Sequence, residues 1–219
     1  MSFVDILALL ASGAGYTILV TLMCSATGMA VGLAIAILHR LGSRPVSACL
    51  AVFTYVFRGI PVLVLLFIVF FGLPGIGIGV PPLVSMMLSL GLIAGAYLGE
   101  VFRGALDSVD AGEIVAAEAM GMGRLQVLFY IELPQMLRFS VPGMVNEFTT
   151  VLKYSPFAYT VGIPEVMKQA MALSAATLRG VEIYLAVGLV YFAIYRVLVT
   201  FVWALEKRYR VPGLTEHRG

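Results

Sequence analysis

What this sequence has least of is charge: Asp, Glu, Lys and Arg make up 12% of its 219 residues, whereas soluble domains carry about 25%. It is 61% hydrophobic, with a mean hydropathy of +1.01, which points to the bilayer rather than water as its solvent. The formal net charge of +2 is too small for a nucleic-acid partner, and the Lys and Arg residues stand at segment ends instead of on one basic face. There are two cysteines, Cys24 and Cys49, without CxxC or ligand spacing, so both read as small apolar fillers rather than a disulfide or metal site. The only histidines are His39 and His217, no GxSxG elbow occurs, and no Asp lies inside an apolar run. An intramembrane enzyme would therefore lack its chemistry. None of Lys153, Lys168 and Lys207 follows a glycine, so the chain has no GxxxxGK[ST] loop with which to grip ATP. Residues 1–12 carry Asp5 and no Lys or Arg, unlike the basic start of a signal peptide, and are expected to be retained as a short interfacial helix.

What is present is a series of long apolar runs. A spanning helix needs about 20 mostly apolar residues, and five such runs are read near 15–38, 52–73, 83–102, 140–163 and 183–205. The expected fold is an all-α integral membrane protein, a single transmembrane domain over residues 1–219. The connections 39–44, 103–139 and 207–219 hold Arg40, Arg44, Arg103, Arg124, Arg138, Lys207, Arg208, Arg210 and Arg218, against only Lys168 and Arg179 on the opposite side. The positive-inside rule then puts the amino terminus outside and the carboxyl terminus in the cytoplasm. The outer connection 72–82, GLPGIGIGVPP, has too much Gly and Pro to continue a helix and reads as a tight surface turn.

The long inner connection 103–139 has a helical pattern instead. Asp110 and Glu113 have the spacing of a capping box, and helix formers follow as far as Met120. Gly121 and Gly123 interrupt them, after which Leu125, Leu128, Phe129 and Leu133 recur at helical spacing until Pro134. The pattern predicts two short helices around a glycine turn, set beneath the membrane.

These residues also carry a resemblance. Ala116, Ala117, Gly121, Ile131, Leu133 and Pro134 fit the spacing EAA, three residues, Gly, nine residues, Ile-x-Leu-Pro that marks permease subunits of bacterial ABC importers. The departure is Val115 in the place of the motif's Glu, with Glu118 three residues on. Arg58-Gly59-Ile60-Pro61, Phe71-Gly72-Leu73-Pro74, Ala96-Tyr97 with Glu100 and Arg103-Gly104, then Pro142, Asn146, Phe148 and Lys153, and finally Leu205-Glu206-Lys207-Arg208 are similar to blocks of the polar amino acid permeases among the type I importers. The likeness covers about residues 13–210. Where that family has Asp after the lysine, this chain has Tyr154.

The resemblance implies a type I ABC importer permease fold with a cytoplasmic coupling helix, placed in a bacterial inner membrane. It further implies a second permease, identical or homologous, two ATP-binding cassette subunits that bind ATP and Mg, and an extracytoplasmic solute-binding protein; no cofactor belongs to this chain itself. The cargo implied is a polar amino acid or an amino acid derivative. Ala116, Ala117, Glu118, Gly121, Ile131, Leu133 and Pro134 become the expected ATPase-coupling residues, because a helix with a small face seats closely in a groove and Gly121 lets the chain turn without a side-chain clash. The competing reading is that these small residues only pack the two inner helices together. An ATPase-independent secondary transporter or channel subunit is the alternative function, and it requires transport without a motor.

A charge at mid-bilayer costs about 2.5–3.5 kcal/mol on insertion scales, so ionisable residues in the apolar runs are candidates for a pathway. Asn146 and Lys153 are expected to face a translocation route, where an ammonium attracts a carboxylate and an amide hydrogen-bonds it. Glu147, six residues before Lys153, points to another face. A snorkelling or structurally paired lysine is the other reading. Arg58 and Glu100, both near the inner ends of their runs, are candidates for an ion pair that closes the cytoplasmic side, with interfacial snorkelling the simpler account of Arg58. Arg196 lies inside the last run and needs a partner or a wet cavity.

Overall fold

The protein is described here by a computed structural model covering residues 2–209, with side chains through Thr200. Arg210, His217 and Arg218, and the side chains of Lys207 and Arg208, lie outside the described residues. Helix α1 (Phe3–Ala11) starts from a reciprocal cap in which Ser2 Oγ accepts from the Asp5 amide and the Asp5 carboxylate accepts from the Ser2 amide, satisfying two otherwise orphaned donors. It leads through Gly13 into α2 (Ala14–Leu41). Then follow α3 (Arg44–Gly59), α4 (Val62–Phe67), α5 (Pro82–Met86) and α6 (Leu92–Asp107), with a π-helical turn, Met87–Gly91, joining the last two into one rod. The inner connection supplies α7 (Ala111–Ala119), α8 (Arg124–Val127) and α9 (Leu133–Phe139), and the chain closes with α10 (Val141–Tyr154), α11 (Val166–Thr177) and α12 (Gly180–Tyr209). No strand occurs among the described residues.

The central contact is between α2 and α6, which approach until backbone nearly meets backbone. A Cβ on Gly28 would lie 2.8 Å from Ala94 Cβ, one on Gly32 would lie 2.7 Å from Leu98 Cβ, and one on Gly95 would lie 2.6 Å from Val31 Cγ1. Glycines at four-residue spacing on α2 therefore receive the side chains of α6, and Gly91, Gly95 and Gly99 receive Thr27, Val31 and Ile35 in return. Lipid tails are as apolar as Leu, so helices in a bilayer gain little by hiding apolar surface from them; small residues that permit close van der Waals approach supply the association instead. Around this seam sit Val20, Cys24, Leu66, Met86, Leu90, Val151 and Val161, all buried. Cys24 is thus a core filler, while Cys49 is exposed.

A second cluster joins α1, α11 and α12 through Ile6, Leu10, Val166, Ala170 and Ile183, so the amino-terminal helix is tied to the bundle by its inner face. Glu165, fully buried, caps α11 by accepting from the Met167 and Lys168 amides at 2.8 Å, and Tyr191 Oη on α12 donates to it at 2.7 Å. Four groups are satisfied at one point, which is what makes a buried carboxylate tolerable.

Among the described residues, three helical rods are long and apolar enough to cross a membrane by length and composition: Phe3–Leu41, Pro82–Asp107 and Gly180–Thr200. A fourth crossing results if Arg44–Gly59 and Val62–Ile76, bent by 100° where they meet, form one broken span. The expected continuous span over 52–73 is therefore corrected: Pro61 lacks an amide hydrogen and disfavours helix at the residue before it, and Ile60 is extended at φ −93, ψ 128. The run expected over 140–163 is α-helical only to Tyr154, then tightens into a 3-10 helix, Ser155–Val161, with Pro156 in its first turn and Gly162 at φ +94 ending it.

Replacing Gly95 with Leu should destabilise the protein by about 1–3 kcal/mol or prevent its folding, as overpacking does. The same change at Gly188, whose Cβ position is open, should not. Thermal unfolding of the two variants in detergent checks the contrast.

Candidate functional site

The inner connection forms a compact helical hairpin. Asp110 caps α7, its Oδ1 accepting from the Gly112 amide at 2.7 Å. Glu113 does not complete the expected capping box: it turns instead to Gln135 on α9, whose Nε2 donates to it at 2.5 Å. At the other end of α7, Gly121 sits at φ +87, a left-handed conformation that side chains resist. The Gly121 amide donates to Glu118 O at 2.9 Å and the Met122 amide to Ala117 O at 3.1 Å, a Schellman closure that satisfies the last carbonyls of the helix. The chain then re-enters helix at Gly123, whose amide donates to Gln126 Oε1 at 2.8 Å. From Arg124 to Phe139 it stays helical, with a π-helical widening at Leu128–Glu132 immediately before Leu133 and Pro134. A proline in mid-helix leaves the carbonyl one turn back without its usual donor, and a locally widened turn is one way to accommodate it.

The expected coupling residues divide between two surfaces. Ala117 is buried, and Ile131 and Leu133 are half-buried, while Ala116, Glu118, Gly121 and Pro134 are exposed. The small alanine face is thus split rather than presented whole. The outward surface instead carries Val115 at 63% exposure, Met120 at 86% and, on the following helix, Tyr130 at 75%. Each of these large apolar side chains is left uncovered.

The hairpin is anchored to the bundle by contacts that spacing does not reveal. Leu128 and Met136 pack with Ala36, Leu98, Phe102 and Leu106. Between them in the same row lies Glu132, 4% exposed, whose Oε1 accepts from Arg40 Nε at 2.8 Å and also from Arg40 Nη2. Arg124 in turn donates to the main-chain carbonyl of Arg40. Arg40 entered the sequence reading only as a charge that sets orientation, and Glu132 is a variable position within Ile-x-Leu-Pro; no local signal links residues so far apart in the chain.

Within the bundle, Asn146 and Lys153 lie on one exposed face of α10 and Glu147 is buried on another. A cavity of about 570 Å³ opens between α10 and α12, lined by Asn146, Thr149, Tyr195, Arg196 and Thr200, and Lys153 does not line it. Pro142, Val145 and Val199 complete the lining, so Arg196 borders a recess of mixed polar and apolar character. Arg58 and Glu100 are not joined in this structure. Glu100 pairs with Arg103 on its own helix at 2.9 Å, and Arg103 also reaches Asp107 at 3.2 Å. The Arg58 guanidinium lies over the Tyr97 ring, 4.9 Å from its centroid, a cation–π contact. A partner one helical turn away holds Glu100 in ready-made geometry.

Replacing Gly121 with Val forces a β-branched residue into the left-handed region, at a cost of about 1–2 kcal/mol. Faster amide exchange confined to the carboxyl end of α7 is the expected result, with α2 and α6 unchanged; hydrogen-exchange mass spectrometry reads both.

Comparison with known proteins agrees with this architecture. Residues 28–211 match the family described as binding-protein-dependent transport system inner membrane component. The chain is 36% identical over 183 residues to the probable amino-acid permease protein YxeN of Bacillus subtilis, spanning 80% of this chain and 78% of that one. It is 34% identical over 170 residues to the histidine/lysine/arginine/ornithine transport system permease protein HisQ of Escherichia coli, spanning 73% and 75%. A crystal structure of an amino acid ABC transporter with histidines superposes with a TM-score of 0.84 at 26% identity, covering 95% of this chain and 99% of that one. The chain belongs to the family of binding-protein-dependent transport system inner membrane components.

Proposed function

We propose that this chain is the five-span membrane subunit of an ATP-driven importer for a polar amino acid or amino acid derivative. The observation that carries the proposal is the hairpin around Gly121: a capped, anchored helix that turns large apolar side chains outward on the arginine-rich side of the protein. That surface suits a groove on a separate ATPase subunit. Val115, exposed where the family motif has Glu, makes this docking contact apolar at that position. By length and apolarity Phe3–Leu41, Pro82–Asp107 and Gly180–Thr200 can each cross, and the bent pair Arg44–Gly59 with Val62–Ile76 makes a fourth crossing; in this reading α10 with its 3-10 extension is the fifth. On the same reading the arginine-rich connections face the cytoplasm of a bacterial inner membrane, with the amino terminus outside and the carboxyl terminus inside.

Two such permeases, identical or homologous, each dock on one of two ATPase subunits that bind ATP and Mg, and an external solute-binding protein delivers the cargo. The names of the relatives, an amino-acid permease and a histidine/lysine/arginine/ornithine permease, support the cargo class. Asn146 and Lys153 face the route, the lysine drawing the substrate carboxylate and the amide hydrogen-bonding it. The end of the α-helix at Tyr154 supports this reading, because interrupted helices are how transporters expose polar backbone to cargo in mid-membrane. Arg58 and Glu100, with their separate partners at the inner end of the bundle, stand where a cytoplasmic gate would be. ATP binding draws the two hairpins together and the bundles rock from inward-facing to outward-facing. Cargo biases that cycle only through different affinity for the two states.

In proteoliposomes holding the full complex with its binding protein, ATP should drive uptake of an amino acid from a panel, and Lys153→Met should abolish uptake while the complex still assembles. Uptake by this chain without any ATPase, or stimulation of ATP hydrolysis by sugars or metals alone, would overturn the reading.

A further inference from the structure

We propose that Arg40 and Glu132 form the joint through which movement of the inner hairpin is handed to α2. This rests on the reading that α7 docks on an ATPase subunit.

The hairpin has two attachments to the membrane bundle besides its entry from α6. One is covalent: α9 runs into α10 through Ser140, which both ends the first helix and begins the second. The other is the contact with α2 and α6. Its apolar part, Leu128 and Met136 against Ala36, Leu98 and Phe102, resists compression but has no direction, so such surfaces slide. The polar part has direction. The Glu132 carboxylate takes both Nε and Nη2 of Arg40, a charge-assisted contact in a site where the carboxylate is 4% exposed.

Arg124, eight residues before Glu132 on the same hairpin, donates to the Arg40 carbonyl, one of the carbonyls at the end of α2 that has no donor within its own helix. The hairpin thus grips a single residue of α2 twice, by its side chain and by its main chain, with charges of opposite sign. A pull as well as a push is transmitted.

What α2 does with that displacement follows from its length. Its 28 residues extend about 42 Å at about 1.5 Å per residue. It is locked along its middle to α6 by the glycine seam, and near its outer end Thr17 Oγ1 accepts from the Val166 amide at 3.4 Å. A tilt imposed at Arg40 therefore carries α6 with it and arrives at the start of α11 on the other side of the protein. Breaking the joint leaves only the chain connections to α6 and α10 and the non-directional apolar contact, so ATP is spent with less movement of the bundle.

The test uses the complete transporter in proteoliposomes, comparing wild type with R40M, E132Q, R40K and the exchanged pair R40E/E132R. In each preparation the retained ATPase, the rate of ATP hydrolysis and the solute taken up per ATP are measured together. R40M and E132Q should keep the ATPase subunits and hydrolyse ATP, with uptake per ATP lowered about tenfold, the loss of one charged hydrogen bond's worth of transmission. R40K and the exchanged pair should recover part of that ratio. Unchanged uptake per ATP in both R40M and E132Q would overturn the joint, as would a parallel loss of ATPase and uptake that R40K does not relieve. Should R40M yield no complex, E132Q decides by the same ratio. A wild-type complex that holds no ATPase at all would refute the docking reading and this inference with it, and that outcome is visible before any variant is made.

Discussion

The close approach of α2 and α6 is the constraint on which the other contacts depend. With glycines facing branched side chains in both directions, the two helices have one depth and one register at which they fit. That fit fixes where Arg40 stands at the inner end of α2, and hence where the hairpin must offer Glu132. It also sets the gap into which Leu66, Val151 and Val161 insert. In a solvent that rewards apolar burial weakly, geometric fit of this kind decides the fold more than hydrophobicity does.

Against that rigid pair the more irregular segments stand out. The chain bends by 100° at Ile60 and Pro61, leaves α-helical geometry after Tyr154, and widens to a π-helical turn before both α6 and α9. Each departure has a proline within or beside it or small residues that permit it, and only the π-helical turn before α6 reaches the contact row with α2, through Gly91 against Thr27. The protein combines one stiff element with several places where a helix changes direction.

The sequence made the apolar runs legible because bilayer thickness sets their length, and it made the helix–glycine–helix hairpin legible because capping and positive φ demand particular residue types. It also displayed Pro61 and Pro156, yet reading hydropathy over windows of about 20 residues averages such breaks away. The side-chain partners were a different matter. Glu113 had the spacing to cap α7 and bonds Gln135 instead; Glu100 had a plausible partner in Arg58 and found Arg103 one turn away. Arg40 with Glu132, and Glu165 with Tyr191, join residues whose proximity is created only by tertiary folding. Composition announces that such buried charges need partners but does not say which.

The passage from α9 through Ser140 into α10 has a consequence for how this stretch tolerates change. Because helical residues advance about 100° each, one added or deleted residue between Glu132 and Asn146 would swing the hairpin around the axis relative to the stripe that bears Asn146 and Lys153. Substitutions there alter single contacts, whereas a change in length would point the outward-facing surface of the hairpin in a new compass direction. The spacing between those two surfaces is thus fixed as an angle as much as a distance.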